Sequence, residues 1–233
     1  NQAGAGEVVV PWRDENGKEI PDYFIKKASD LPQYKSLVKK YGESNDSIRI
    51  VLSQKHKMKV FTYRGERDTI LSTMDSLKYY QKFFQTGFMD MEPATGFVKA
   101  WVGGINYNYF KYDHINQSRR QPGSLFKAFV YAAAFDQGYG PCDKFTDHPV
   151  SIKYTENGVE KEWSPRNVDR SHAGEMTLKF AFARSVNSIA VQLAQKVGWQ
   201  KVIEYAHKLG VESELANVPS ICLGSSDVTL EEM

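Results

Sequence analysis

Apolar positions recur with two different periods along the chain, and the change of period predicts where strands and helices lie. In "SIRIVLSQKHKMKVFTY", residues 47–63, Ile48, Ile50 and Leu52 fall on every second position, a basic turn follows, and Met58, Val60 and Thr62 repeat the pattern. A period of two places side chains on one face of a strand, so this stretch predicts a hairpin. Residues 73–87, "TMDSLKYYQKFFQTG", predict an amphipathic helix closed by Gly87. In "GFMDMEPATGFVKAWVGG", 87–104, two strands surround a turn set by Pro93 and Gly96. A second hairpin is predicted over 150–163, "VSIKYTENGVEKEW", with Asn157-Gly158 at its tip. From Thr177 onward the spacing is helical: "TLKFAFAR", then "SIAVQLAQKVG" closed by Gly198, then "WQKVIEYAHKLG" closed by Gly210. Residues 1–47 mix proline, glycine and charge around one helical patch, "YKSLVKKYG". Hairpins first and helices afterwards predict an α+β fold with its helices gathered in a subdomain.

Composition narrows the classes. Hydrophobic residues make up 41% of the chain, enough for a core, and the formal charge of +2 gives no electrostatic case for nucleic acid. The basic excess is local, in "KSLVKK" and "SQKHKMK". The longest strongly apolar run, "FVYAAAF", is far shorter than the roughly 20 residues that span a bilayer. No signal peptide is visible and the first residue is Asn1. Cys142 and Cys222 are too few and too far apart for a metal site, and read as independent thiols with a single bridge as the alternative. His56, His114, His148, His172 and His207 show no ligand spacing, so no metal and no cofactor is expected. At the far end Thr229 and Glu232 form a capping-box pattern just before Met233, where a one-turn helix would have no stability of its own. The chain is therefore expected to be a piece of a longer protein.

Chemistry enters at "RRQPGSLFKAFVYAAAF", residues 119–135. A structural helix gains nothing from an ammonium among alanines and phenylalanines. Desolvation lowers a lysine's pKa and turns it into a proton acceptor. Ser124 follows Pro122-Gly123, and Lys127 lies three positions on, within reach of the serine on a helical turn. The same spacing occurs at Ser36 and Lys39, but that patch is polar and its lysine would stay hydrated and protonated. Ser185-x-Asn187, in "ARSVNSIA", sits in a break between two predicted helices. Its bland reading is helix capping. Its functional reading is a hydroxyl and an amide turned toward the Ser124 helix. Ser-x-x-Lys followed by Ser-x-Asn is the order found in β-lactamases and penicillin-binding proteins. No G-x-S-x-G elbow surrounds any serine, which disfavours an α/β-hydrolase.

On these residues, and on "MDMEPATGFVKAWVGG", "RRQPGSLFKAFVYAAA", "WSPRN" and "GEMTLKFAFARSVNSIAVQLA" standing in family order, the chain resembles the transpeptidase domain of bifunctional class A penicillin-binding proteins. The resemblance implies a penicillin-binding/β-lactamase-like fold, an antiparallel sheet plus a helical subdomain, incomplete at the C-terminus. It divides the chain into a connector, residues 1–85, and the first part of the transpeptidase domain, 86–233. It implies cross-linking of peptidoglycan stem peptides, with Ser124 as nucleophile, Lys127 as base, Ser185 as proton relay and Asn187 as holder of the donor amide, and it implies acylation by β-lactam antibiotics. The family's Lys-Thr/Ser-Gly strand is absent here and would lie beyond Met233, so this chain alone is expected to be impaired. The resemblance further implies an upstream glycosyltransferase domain, a membrane anchor outside this chain, and an extracytoplasmic, periplasmic location. Two alternatives stand beside it: a D-alanyl carboxypeptidase or β-lactamase-like hydrolase, and a non-catalytic penicillin-sensing or scaffold module.

Overall fold

The computed structural model describes residues 12–14, 16–42, 46–156 and 158–233. The chain divides into two compact units, one ending at Gln85 and the other beginning at Thr86.

In the first unit, helices α1 (Tyr23–Ala28), α2 (Pro32–Tyr41) and α3 (Asp46–Ser53) precede a hairpin of β1 (His56–Thr62) and β2 (Gly65–Leu71), followed by α4 (Thr73–Tyr80). The alternation at Ile48, Ile50 and Leu52 is not a strand. Those residues lie on α3, where Ile48 and Leu52, four apart, share one buried face with Ala28, while Ile50 is 62% exposed. A short apolar run satisfies both periods, and the buried pair decides for the helix. The hairpin lies later, with His56 opposite Leu71 and Thr62 opposite Gly65. Helix α4 opens on a capping box, Ser72 Oγ accepting from the Asp75 N–H at 3.0 Å and Asp75 accepting from the Ser72 N–H at 3.2 Å. It stops well short of Gly87, because the next N–H groups, Lys82 and Phe83, bond to carbonyls three residues back and tighten the turn.

In the second unit, β3 (Phe88–Met91) and β4 (Val98–Val102) pair with a bulge at Asp90/Met91, and Gly96 supplies a positive φ of 73° in their connection. A 3-10 turn, Gly123–Phe126, leads into α5 (Lys127–Asp136). Strand β5 (Lys144–Asp147) pairs with β8 (Gly174–Thr177), enclosing the hairpin of β6 (Ile152–Glu156) and β7 (Val159–Trp163). Asn157 of that hairpin's tip lies outside the described residues. Among the described residues the antiparallel sheet is thus four separate two-stranded ladders.

Helices α6 (Leu178–Ala183), α7 (Asn187–Val197) and α8 (Trp199–Lys208) follow, and α7 is buried along most of its length. Phe126, Val130 and Ala134 meet Ile189, Leu193, Val202 and Ala206 in one apolar core. The last α-helix ends just before Gly210, as the sequence spacing suggests. Beyond it Val211, Ser213 and Leu215 are buried at alternate positions of an irregular segment, and a 3-10 turn, Pro219–Leu223, follows. The Thr229–Glu232 pattern forms its reciprocal bonds, with the Thr229 N–H donating to Glu232 at 2.7 Å and the Glu232 N–H to Thr229 Oγ1 at 3.3 Å. Glu232 also accepts from the Ser213 N–H at 2.7 Å and the Ser213 hydroxyl at 2.7 Å. Burial alone would raise its pKa, but these donors hold it at about 2. The cysteines are free, Cys142 exposed and Cys222 buried.

Candidate active site

The turn that carries Ser124 is held from outside. Arg120 and Val228 exchange backbone bonds of 2.9 and 3.0 Å, and the Gln121 amide donates to the Ser225 carbonyl at 3.0 Å. Gly123 takes φ +59° and Gly224 takes φ +73°, so their backbones nearly touch. A Cβ on Gly224 would stand 2.3 Å from the Gly123 carbonyl oxygen. Ser124 lies in the 3-10 turn, and Lys127, three residues on, is the first residue of α5. Ser124 is exposed and its hydroxyl makes no hydrogen bond among the described residues.

Lys127 points the other way, into the protein, and is 1% exposed. Its Nζ donates to the Ser185 carbonyl at 2.6 Å, to Ser185 Oγ at 2.9 Å and to Asn187 Oδ1 at 2.6 Å. No carboxylate is among these partners. Desolvation therefore dominates and brings the ammonium down to about 8, with the nearby Cys222 pulling weakly the other way. The same burial pushes the Cys222 thiol up to about 12. A lysine at about 8 is neutral in an appreciable fraction of molecules near pH 7. It can then keep its two N–H bonds to the Ser185 carbonyl and Asn187 Oδ1 and turn its lone pair to a hydroxyl.

Ser185 holds a left-handed φ of 54° between α6 and α7, a conformation a serine seldom adopts. The Asn187 amide is fixed from the far side, where its Nδ2 donates to the Arg166 carbonyl at 2.7 Å, which leaves Oδ1 for Lys127. Behind it, Asn167 Oδ1 accepts from the Asn187 N–H at 3.0 Å and the Ser188 N–H at 3.1 Å, capping α7 in place of its own N-cap residue Val186. Asn167 Nδ2 in turn donates to Asp147 at 2.9 Å. Asp147 is 5% exposed and takes further bonds from Ser188 Oγ at 2.5 Å, His172 Nδ1 at 2.8 Å and the Ala173 N–H at 2.9 Å. Burial works to raise its pKa, but this set of donors outweighs it and holds the carboxylate at about 2.

Of the four residues singled out by sequence, Lys127, Ser185 and Asn187 are joined by direct hydrogen bonds, and Ser124 stands one 3-10 turn before the lysine. Ser36, of the competing pair, bonds its own helix at the Pro32 carbonyl, and Lys39 is exposed. Sequence reasoning assigned no role to Asp147 or Asn167. Asn167 was visible as the last residue of "WSPRN". Asp147 carried no signal, since an aspartate in a polar loop looks like any solvated residue. Among the described residues no cluster of three or more His, Cys, Asp or Glu side chains could hold a metal ion, and no helix is long and apolar enough to cross a membrane.

A buried lysine between a serine-bearing turn and a Ser-x-Asn segment, on an α+β frame, defines the class of penicillin-binding and β-lactamase-like domains. The chain belongs to the penicillin-binding protein transpeptidase family: residues 69–218 match its transpeptidase domain, and residues 9–84 match the penicillin-binding protein middle domain. It is similar to penicillin-binding protein 1A of Rickettsia typhi, 39% identical over 145 residues, which covers 62% of this chain and 18% of that protein. It is 31% identical over 150 residues to penicillin-binding protein 1A of Pseudomonas aeruginosa, covering 64% of this chain and again 18% of the relative. The crystal structure of penicillin-binding protein 1A from Haemophilus influenzae matches with a TM-score of 0.58 and 29% identity, over 64% of this chain and 22% of that one. The structure of PonA1 from Mycobacterium tuberculosis matches with 0.51 and 25%, over 68% of this chain and 44% of that one. The chain spans under a fifth of the curated relatives' length.

Proposed function

We propose that this chain is the serine- and lysine-bearing part of a D,D-transpeptidase that cross-links peptidoglycan stem peptides through an acyl-serine intermediate. The observation that carries the reading is Lys127, buried with no carboxylate partner, its head bonded to both Ser185 and Asn187. Neutral Lys127 accepts the Ser124 proton as Ser124 Oγ bonds to the carbonyl carbon of the penultimate D-alanine. The C–N bond to the terminal D-alanine breaks, and Ser185 passes the proton to the leaving amine. Asn187 holds the donor peptide, and the Ser124 N–H supports the oxyanion from the start of the helix. An amine of a second stem peptide then attacks the ester, the Ser124 C–O bond breaks, and the proton returns to Ser124. β-Lactams acylate the same oxygen and leave an ester that resists the second step. The remaining site elements, including the Lys-Thr/Ser-Gly strand, an upstream glycosyltransferase domain and a membrane anchor, belong to a longer protein working on the extracytoplasmic face of the bacterial inner membrane.

The test is product analysis with the full-length protein, a synthetic peptide ending in D-alanyl-D-alanine, and an amine acceptor. Release of D-alanine with formation of the amide-linked dimer is expected. Release of D-alanine with water as the sole acceptor would assign the chain to the hydrolase reading instead, and no release from folded protein would leave the scaffold reading.

A further inference from the structure

Beside the Ser-x-Asn segment lies an open cavity of about 430 Å³, lined in part by Ser164, Arg166, Asn167, Arg170 and His172. No acidic side chain lines it. Neither guanidinium has a hydrogen bond or an ion pair among the described residues. On the strands of this unit Lys161 pairs with Glu156 at 2.5 Å and Lys144 with Glu175 at 2.7 Å. The carboxylate behind the cavity, Asp147, is already occupied by the four donors described above. Two arginines without an ion pair among the described residues therefore line one hollow. Arg170 is also held at a left-handed φ of 56°, its N–H tied to the Asn167 carbonyl at 3.0 Å. An arginine kept in a conformation that costs of order 1 kcal/mol or more is not placed by chain preference.

The cavity wall is also the support of Asn187. The Arg166 carbonyl holds the Asn187 amide and the Asn167 side chain caps its helix. The cavity therefore adjoins the residue that the transpeptidase reading assigns to holding the donor peptide. Guanidinium groups offer a planar fork of donors that matches a carboxylate. We propose that this cavity is a subsite for a side-chain carboxylate of the peptide substrate, bound by Arg166 and Arg170. The proposal rests on the transpeptidase reading for a peptide held at Asn187, and makes the protein a reader of peptide charge away from the scissile bond.

The experiment measures equilibrium binding to the full-length protein carrying Ser124→Ala, so that nothing turns over. The probes are two synthetic pentapeptides ending in D-alanyl-D-alanine, one with an internal side-chain carboxylate and one with that group amidated. The carboxylate form is expected to bind about 10-fold or more tightly at low salt, with the preference shrinking as salt is raised. In Arg166→Gln/Arg170→Gln the preference is expected to fall to within about twofold. Equal affinities for the two peptides on the arginine-containing protein would overturn the proposal, and so would an unchanged preference in the glutamine pair shown folded by near-ultraviolet circular dichroism. Acylation of Ser124 by penicillin, measured separately, reports on the transpeptidase reading, so failure of either idea is distinguishable from failure of the other.

Discussion

Lys127 Nζ donates to Asn187 Oδ1 at 2.6 Å, joining the start of one buried helix to the start of another. The bond matters because Asn187 cannot turn its amide: the Arg166 carbonyl holds Nδ2 at 2.7 Å. Lys127 thus receives acceptors and no countercharge, which keeps its proton weakly bound.

The pH dependence follows from that. Lys127 is held at about 8 against an ordinary lysine value of 10.5. Acylation of Ser124 by penicillin should rise with pH through about 8 and level off above it, as neutral lysine accumulates. Stability moves in the same direction. Between about 8 and 10.5 the unfolded chain holds a proton that the folded one has lost, so this group's contribution improves as pH rises through that window. Stopped-flow acylation rates and denaturant midpoints across pH 6.5 to 10.5 check both, and an acylation profile flat through 8 would remove Lys127 as the base.

Lys127→Met keeps the volume of the stem and removes the base. Acylation should fall by about 100-fold or more while the protein remains folded. Ser36→Ala and Lys39→Met, at the exposed pair with the same spacing, should leave acylation unchanged. Rate constants for penicillin acylation decide between the two lysines.

Asn167 accepts from the Asn187 N–H, and on the proposed function it is expected to act as a positioning residue. Asn167→Ala removes two capping bonds from α7 and one donor from Asp147, and should cost about 2 kcal/mol of stability. It should also slow acylation by lowering the rate at saturating penicillin more than the affinity. Ser188→Ala serves as the comparison, since it takes a donor from Asp147 without touching Asn187. A similar loss of stability with little change in the acylation rate is expected there. Equal rate losses in both would make Asn167 a structural residue only.

Gly224→Ala forces a Cβ to within 2.3 Å of the Gly123 carbonyl oxygen at a backbone φ of +73°. The Ser124 turn must shift to admit it. The expected cost is on the order of 2 kcal/mol, with acylation slowed as well. Thermal unfolding and acylation rates together check it.

Below neutral pH two carboxylates dominate, Asp147 buried and Glu232 half-buried. Asp147 and Glu232 are each held at about 2, below their ordinary values of 3.8 and 4.5. Their stabilising contribution is present above those ordinary values and is lost as pH falls toward 2. Asp147→Asn should flatten the acid limb of the unfolding curve, measured by circular dichroism from pH 5 to 2.

The candidate residues that the structure brings together stood out in the sequence because their chemistry contradicts their surroundings. Lys127 among phenylalanines and alanines and Ser185-x-Asn187 in a helix break both stand out against the local pattern. The hairpin at 152–163 and the helix ends at Gly198 and Gly210 were legible from turn residues whose backbone needs are local. Ile48 to Leu52 misled because a short apolar run fits period two and period four alike, and only the packing of Ile48 and Leu52 with Ala28 settles it. Asp147 was invisible since its role is set by four donors drawn from residues 167 to 188, none of which a local pattern can connect to it.

The most direct test of Ser124 as the acyl acceptor is intact-protein mass after penicillin treatment of the full-length protein, with Ser124→Ala beside it. A gain of one penicilloyl group that disappears in the variant is the result expected from the arrangement of Ser124, Lys127 and Asn187. No gain in protein shown to be folded, or an equal gain in the variant, would contradict it.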